Sequence, residues 1–127
     1  MTNNHLPSEV KRILCVDDDK EACVTMRAFL DLCGYEAVTA TSVPEALEQA
    51  SLGGFGLCLL DTWIGAETGL DLCHRIRSFD QKTPVIFFYS GAGFKTVNAT
   101  EVGAGAQAYI TKKDANSLEK IVGQHIL

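Results

Sequence analysis

Residues 13–19 read Ile13-Leu14-Cys15-Val16-Asp17-Asp18-Asp19, four apolar residues in a row that stop at three acids. A short continuous apolar run, rather than an alternating one, is what a parallel strand buried on both faces requires. The pattern recurs down the chain. Leu57-Cys58-Leu59-Leu60 ends at Asp61, Val85-Ile86-Phe87-Phe88-Tyr89 ends at Ser90-Gly91, and 108–111 ends at Lys112. Residues 36–40 read as one more strand. Helical spacing fills the intervals. Ala22, Met26, Phe29, Leu30 and Cys33 recur on one stripe, with Gly34 as a C-terminal stop. Ser42 can cap a helix carrying Ala46, Leu47 and Ala50, with Pro44 in its first turn. Residues 69–79 suit a helix with Leu72, Ile76 and Phe79 along one face. Residues 116–126 suit another, with Leu118, Ile121 and Val122 inward and Ile126 as a further candidate. The segment 94–102 is the poorest helix former, rich in Thr, Val and Asn and closed by Gly103 and Gly105.

Strands alternating with helices predict an α/β domain, a doubly wound five-stranded parallel sheet with helices on both faces. The 127 residues suffice for one domain, 1–127, in which 1–11 form a short N-terminal extension. Met1 stands shortly before the first strand, so the domain is expected at the N-terminus of its protein. A stand-alone domain and one cut from a longer regulator read alike. A hydrophobic share of 46% with 21% charged residues is that of a globular chain. No apolar run approaches the roughly 18 residues of a membrane span, and residues 1–10 lack the pattern of a secretory signal. The net charge of −5 gives no reason to expect direct nucleic-acid binding by this segment, since phosphates need a basic face. The five cysteines show no Cys-x-x-Cys spacing, and His5, His74 and His125 are scattered. Reduced structural thiols in the cytoplasm are expected, rather than disulfides or zinc ligands.

In parallel sheets of this kind ligands bind beyond the carboxyl ends of the strands, near the switch in strand order. The residues found there are Asp17, Asp18 and Asp19 after the first strand, Asp61 at the third, Ser90 after the fourth and Lys112 after the fifth. Several acids in one pocket repel each other, so the site calls for a cation. All-oxygen ligation with room for water suits magnesium, and Lys112 adds a positive charge on the other side of Asp61. Taken singly, each residue has a plainer reading. An Asp after a strand caps a helix, a Ser makes a turn, and a Lys is solvated. The ordered combination is what carries the site.

With these go Gly69 eight residues beyond Asp61, a small residue after Ser90, Tyr109 ahead of Lys112, and the pairs Gly34-Tyr35 and Gly105-Ala106. The set resembles the response-regulator receiver family from about Arg12 to the end of the chain. The resemblance implies a flavodoxin-like strand order, 2-1-3-4-5, and Mg2+ as cofactor. Asp18, Asp61 and the backbone carbonyl of Trp63 would ligate it directly, with Asp17 acting mainly through a water. Asp61 would be the phosphoacceptor toward a sensor histidine kinase, a histidine phosphotransfer protein or a small phosphodonor, by in-line transfer. Lys112 would neutralise phosphoryl oxygens, and Ser90 would hydrogen-bond one of them. The implied switch is Ser90 moving toward the new charge of about −1.5 to −2 while Tyr109 turns inward; the plainer reading of Tyr109 is a half-buried strand aromatic. The switch would reshape the face of the fourth helix, fifth strand and fifth helix, for an output domain or protein, or for a homodimer formed on phosphorylation. Asp19 is left as a solvated residue of the helix's first turn. The role is a signalling domain, not an enzyme.

Two departures stand out. Lys113 follows Lys112 where the family usually has Pro after a cis peptide, and a cis bond without Pro costs about 2.5–4 kcal/mol. Either a trans peptide with a shifted loop or a strained one follows, and Lys113 competes for the role of Lys112. In Thr62-Trp63-Ile64-Gly65, Gly65 replaces a frequent Pro and makes the loop more permissive. Trp63 either shields the acyl phosphate from water or serves a partner surface. Three rival readings compete. A haloacid-dehalogenase-like phosphatase would use Asp17 as nucleophile and Asp19 as acid/base, but it leaves Asp61 unexplained and has only Asp114 and Glu119 for its later acids. A receiver-like module that is never phosphorylated draws support from the missing Pro. A flavodoxin shares the fold, but three acids would repel a flavin phosphate.

Overall fold

The computed structural model describes residues 10–89, 106, 108–111 and 115–127. Its elements in chain order are β1 (Arg12–Val16), α1 (Lys20–Leu32), β2 (Glu36–Ala40), α2 (Val43–Leu52), β3 (Leu57–Asp61), β4 (Trp63–Ile64), β5 (Glu67–Thr68), α3 (Gly69–Arg77), β6 (Val85–Tyr89), β7 (Ala108–Thr111) and α4 (Ala115–His125). Five strands form one sheet in the order β2-β1-β3-β6-β7, and every pairing in it is parallel. With the small β4–β5 hairpin set aside, this is the expected order 2-1-3-4-5. The segment 94–102 lies outside the described residues.

The continuous apolar runs are explained by a core on each face. Successive strand residues point to opposite sides. Leu14, Val16, Cys58, Leu60, Val85 and Phe87 pack under α2 and α3, against Val43, Ala46, Leu72 and Ile76. Ile13, Cys15, Leu57, Leu59, Ile86 and Phe88 pack on the other face, against Leu30 of α1 and Leu118 and Val122 of α4. None of the five cysteines forms a disulfide. Burial pushes the Cys58 thiol up to about 12 and raises that of Cys73, so both behave as small hydrophobes rather than nucleophiles. No described helix is long and apolar enough to cross a membrane.

Helix ends follow side-chain chemistry. Asp19 is the N-cap of α1, its carboxylate accepting from the Glu21 N–H at 2.9 Å; it stands before the first turn rather than in it. Ser42 accepts from the Glu45 N–H at 3.2 Å, and Glu45 reaches back to the Thr41 N–H at 2.7 Å. Gly34 follows α1 at φ +92°, a left-handed conformation that suits glycine. At the end of the chain, the Leu127 N–H donates to the Gly56 carbonyl at 3.1 Å, and the Gly56 N–H donates to the Arg12 carbonyl at 2.8 Å. These bonds tie the C-terminus to the starts of β3 and β1.

One helix departs from expectation. α3 stops at Arg77, and Phe79 is 49% exposed rather than on the inner face. Asp80 supplies the reason. Its carboxylate collects the N–H groups of Lys82 and Thr83 at 3.0 and 3.1 Å and the Thr83 hydroxyl at 2.5 Å, while Arg77 donates to its carbonyl at 3.0 Å. Such side-chain bonds offer the backbone a turn in place of another helical turn. Burial pushes the Asp80 carboxyl up, but the Thr83 and Lys82 hydrogen bonds and the Arg77 charge together outweigh it and lower its pKa. A carboxyl depressed in the folded state stabilises above its unfolded pKa, and this is lost as pH falls through the folded value. Asp80→Ala is therefore expected to lower stability by about 1–2 kcal/mol at pH 7. In urea denaturation the gap to wild type should narrow below about pH 4.

Candidate metal centre

β1 and β3 lie side by side, in register through Val16↔Leu60, and the sheet order reverses between them. From β1 the chain steps outward to β2, and from β3 it steps the other way to β6 and β7. The residue after β1 and the last residue of β3 therefore meet at one edge. Carboxylate oxygens of Asp17, Asp18 and Asp61 all lie within 4.8 Å of one another. Asp17 and Asp61 are buried, each 5% exposed, and Asp18 is open to solvent. Among the described residues, these three are the one such group of potential metal ligands.

Each carboxylate is oriented by a backbone donor. Asp17 Oδ1 accepts from the Asp19 N–H at 3.0 Å, and the Asp17 N–H continues the β1–β2 ladder by donating to Ala40 at 3.1 Å. Cys23 Sγ donates to the Asp17 carbonyl at 3.3 Å. Asp61 Oδ1 accepts from the Thr62 N–H at 2.9 Å. Asp18 Oδ2 accepts from the Gly65 N–H at 3.0 Å. Gly65 turns the hairpin that pairs Trp63 with Thr68 and Ile64 with Glu67. Ile64 anchors that hairpin in the core at 2% exposure, while the Trp63 side chain is 63% exposed.

The start of α3 closes the arrangement. Thr68 caps it, accepting from the Asp71 N–H at 3.0 Å, and the Gly69 N–H donates to the Thr62 carbonyl at 3.0 Å. A Cβ on Gly69 would collide with the Asp61 carbonyl oxygen and lie 3.1 Å from Cε1 of Phe87. Position 69 is glycine because the helix begins directly against the backbone of Asp61.

Three carboxylates this close repel one another, and burial of two raises the cost. An all-oxygen donor set with one solvent-facing member fits a hard divalent cation that keeps part of its water shell, and magnesium fits this description. Asp17, Asp18 and Asp61 are the residues that would hold it. Asp19 does not join them, because its carboxylate caps α1. That removes the acid/base of a dehalogenase-like site and leaves Asp61 inside the cluster. Ser90, Lys112 and Lys113 lie outside the described residues. Tyr109 is placed in β7 opposite Phe87, with its side chain outside the description. Trp63 sits in β4, two residues past Asp61.

Sequence reasoning missed the capping roles of Asp19 and Thr68 and the Gly65 donor. The first two had a local signal, an Asp or Thr just ahead of an acid-bearing first turn. The third bridges 47 positions and had none.

Residues 13–123 match the family model for the response regulator receiver domain. The nisin biosynthesis regulatory protein NisR of Lactococcus lactis is 35% identical over 103 residues, which are 81% of this chain and 44% of that protein. The transcriptional regulatory protein CrdR of Helicobacter pylori is 33% identical over 111 residues, 86% of this chain and 52% of that protein. The chain thus spans about half the length of these curated relatives. A solved CheY-like response regulator receiver domain protein from Methanospirillum hungatei has a TM-score of 0.82 at 26% identity, covering 91% of this chain and 93% of that one.

The packing at position 69 has a measurable consequence. Gly69→Ala is expected to destabilise the fold by about 2–3 kcal/mol through overpacking against the Asp61 backbone. Urea denaturation of the two proteins checks it.

Proposed function

The chain belongs to the response regulator receiver domain family, and on that premise we propose that it takes a phosphoryl group onto Asp61. The observation that carries this reading is the convergence of Asp17, Asp18 and Asp61 within 4.8 Å at the reversal of strand order. A carboxylate oxygen of Asp61 attacks the phosphorus of a phosphohistidine in line. The P–N bond breaks, and the donor imidazole leaves with the bonding pair and takes up a proton. Such transfer asks the protein for position and charge more than for covalent help. Position comes from the backbone, with the Thr62 N–H on Asp61 and the close approach of Gly69 beneath it.

Bound magnesium would offset the charge of the phosphoryl oxygens and of the acid cluster. Asp17 and Asp18 keep their carboxylates turned to that position through the Asp19 and Gly65 N–H groups. The resemblance adds the backbone carbonyl of Trp63 as a further ligand, Lys112 as a charge partner and Ser90 as a donor to a phosphoryl oxygen. It also assigns the switch to Ser90 and Tyr109.

The proposed donors are a sensor histidine kinase or a histidine phosphotransfer protein. The proposed output is an attached domain or separate protein that reads the face which the resemblance assigns to the fourth helix, fifth strand and fifth helix, with homodimerisation there as one form of it. Relatives named as regulatory proteins and about twice as long support an attached output. In this reading the chain is a cytoplasmic signalling domain and not an enzyme. The exposed indole of Trp63 is compatible with either role given to it.

The test is intact-protein mass after incubation with acetyl phosphate, with and without magnesium. Wild type is expected to gain one phosphoryl group only with magnesium, and Asp61→Asn none. No adduct on wild type, with Trp63 fluorescence still responding to magnesium, would replace this reading with a module that is not phosphorylated by small donors.

A further inference from the structure

Asp18 is the solvent-facing member of the carboxylate cluster. An exposed aspartate ordinarily samples several rotamers, and only some aim an oxygen at the other two acids. Here one contact selects among them, the Gly65 N–H donating to Asp18 Oδ2 at 3.0 Å across 47 positions of sequence. The donor is presented by a turn at φ +65°, a conformation glycine adopts without strain. A Cβ on Gly65 would meet nothing within 4 Å, so crowding does not explain the glycine. Proline at this position would have no N–H and a φ fixed near −65°. It could make neither the turn nor the bond.

We propose that Gly65 is a positioning residue for the metal centre: its backbone N–H holds the Asp18 carboxylate toward Asp17 and Asp61, joining the β4–β5 hairpin to metal binding. The inference rests on the metal reading given above and adds to it a residue with no side chain. An oxygen that accepts one N–H keeps lone-pair capacity for a cation, so the bond need not break on loading. It also places a partial positive charge beside a cluster of like charges, which steadies the metal-free state. Outer partners of this kind typically change metal affinity by about 10–100-fold. Trp63 lies in the same hairpin and is the single tryptophan of the chain, so its fluorescence reports on the coupled unit.

The experiment has two arms. In the metal-free protein, the Gly65 amide signal in a proton–nitrogen NMR correlation spectrum is compared among wild type, Asp18→Ala and Glu67→Gln. An upfield move of that amide proton in Asp18→Ala, with none in Glu67→Gln, is expected. An unmoved signal in Asp18→Ala overturns the proposal, as does an equal move in both variants. In the second arm, magnesium is titrated by calorimetry and Trp63 fluorescence into wild type, Gly65→Ala, Gly65→Pro, Asp18→Ala and the Asp18→Ala/Gly65→Pro double variant. Gly65→Pro should weaken magnesium binding about ten-fold, and Gly65→Ala, which keeps the N–H, by clearly less. In the Asp18→Ala background Gly65→Pro should have no further effect. Wild-type affinity in Gly65→Pro, or an undiminished loss in the double variant, overturns the proposal. Should the proline variants not fold, the amide arm and Gly65→Ala decide: a loss in Gly65→Ala clearly smaller than about ten-fold with the expected amide shift supports it, and a loss of that size or more, or an absent amide shift, overturns it. Failure of wild type to bind magnesium, with the amide arm positive, overturns the metal reading and this inference with it, while leaving the hydrogen bond established.

Discussion

The parallel pairing of β1 with β3, in register through Val16↔Leu60, fixes where everything else must be. It brings Asp17 and Asp61 together at one edge as soon as the sheet forms, with no loop search needed. Because the strands are buried on both faces, the register cannot slip by one residue without exchanging the two apolar faces. The site is therefore only as variable as the core, and the core is packed on both sides.

That arrangement sets an attractive core against a repulsive edge. Ile13, Leu14, Leu59 and Leu60 are fully buried or nearly so, and each contributes roughly 1.5–3 kcal/mol by leaving water. Just beyond them the same strands carry carboxylates that disfavour one another. Backbone N–H groups of Asp19, Thr62 and Gly65 moderate the conflict, and a cation would resolve it. Conflict between fold and site is common where a protein must respond to a ligand. Among the described residues it is found at the carboxyl edge of β1 and β3.

Most of the sheet was legible in sequence because a doubly buried strand leaves an unbroken apolar run, and those at 13–16, 57–60 and 85–89 are unambiguous. Asp61 was legible for the same reason, as the polar residue that ends a run. What was hidden lay where local rules compete or where distance intervenes. The apolar stripe of α3 continues to Phe79, but the Asp80 side chain turns the chain away first. The β4–β5 hairpin has two residues per strand, too few for periodicity to register. Gly69 could be matched to a family position, but its physical cause, the Asp61 carbonyl against its Cα, needed coordinates. The roles of Ser90, Lys112 and Tyr109 rest on the ordered motif alone.

The stitching of Leu127 to Gly56 and of Gly56 to Arg12 has an architectural consequence. Both ends of the described domain lie at the amino edge of the sheet, and the acids lie at its carboxyl edge. A five-residue strand separates the two edges by roughly 16 Å. Anything attached beyond Leu127 would start from the pole opposite the Asp17, Asp18 and Asp61 cluster. The strands, packed on both faces, are the fixed span between that attachment point and the acids.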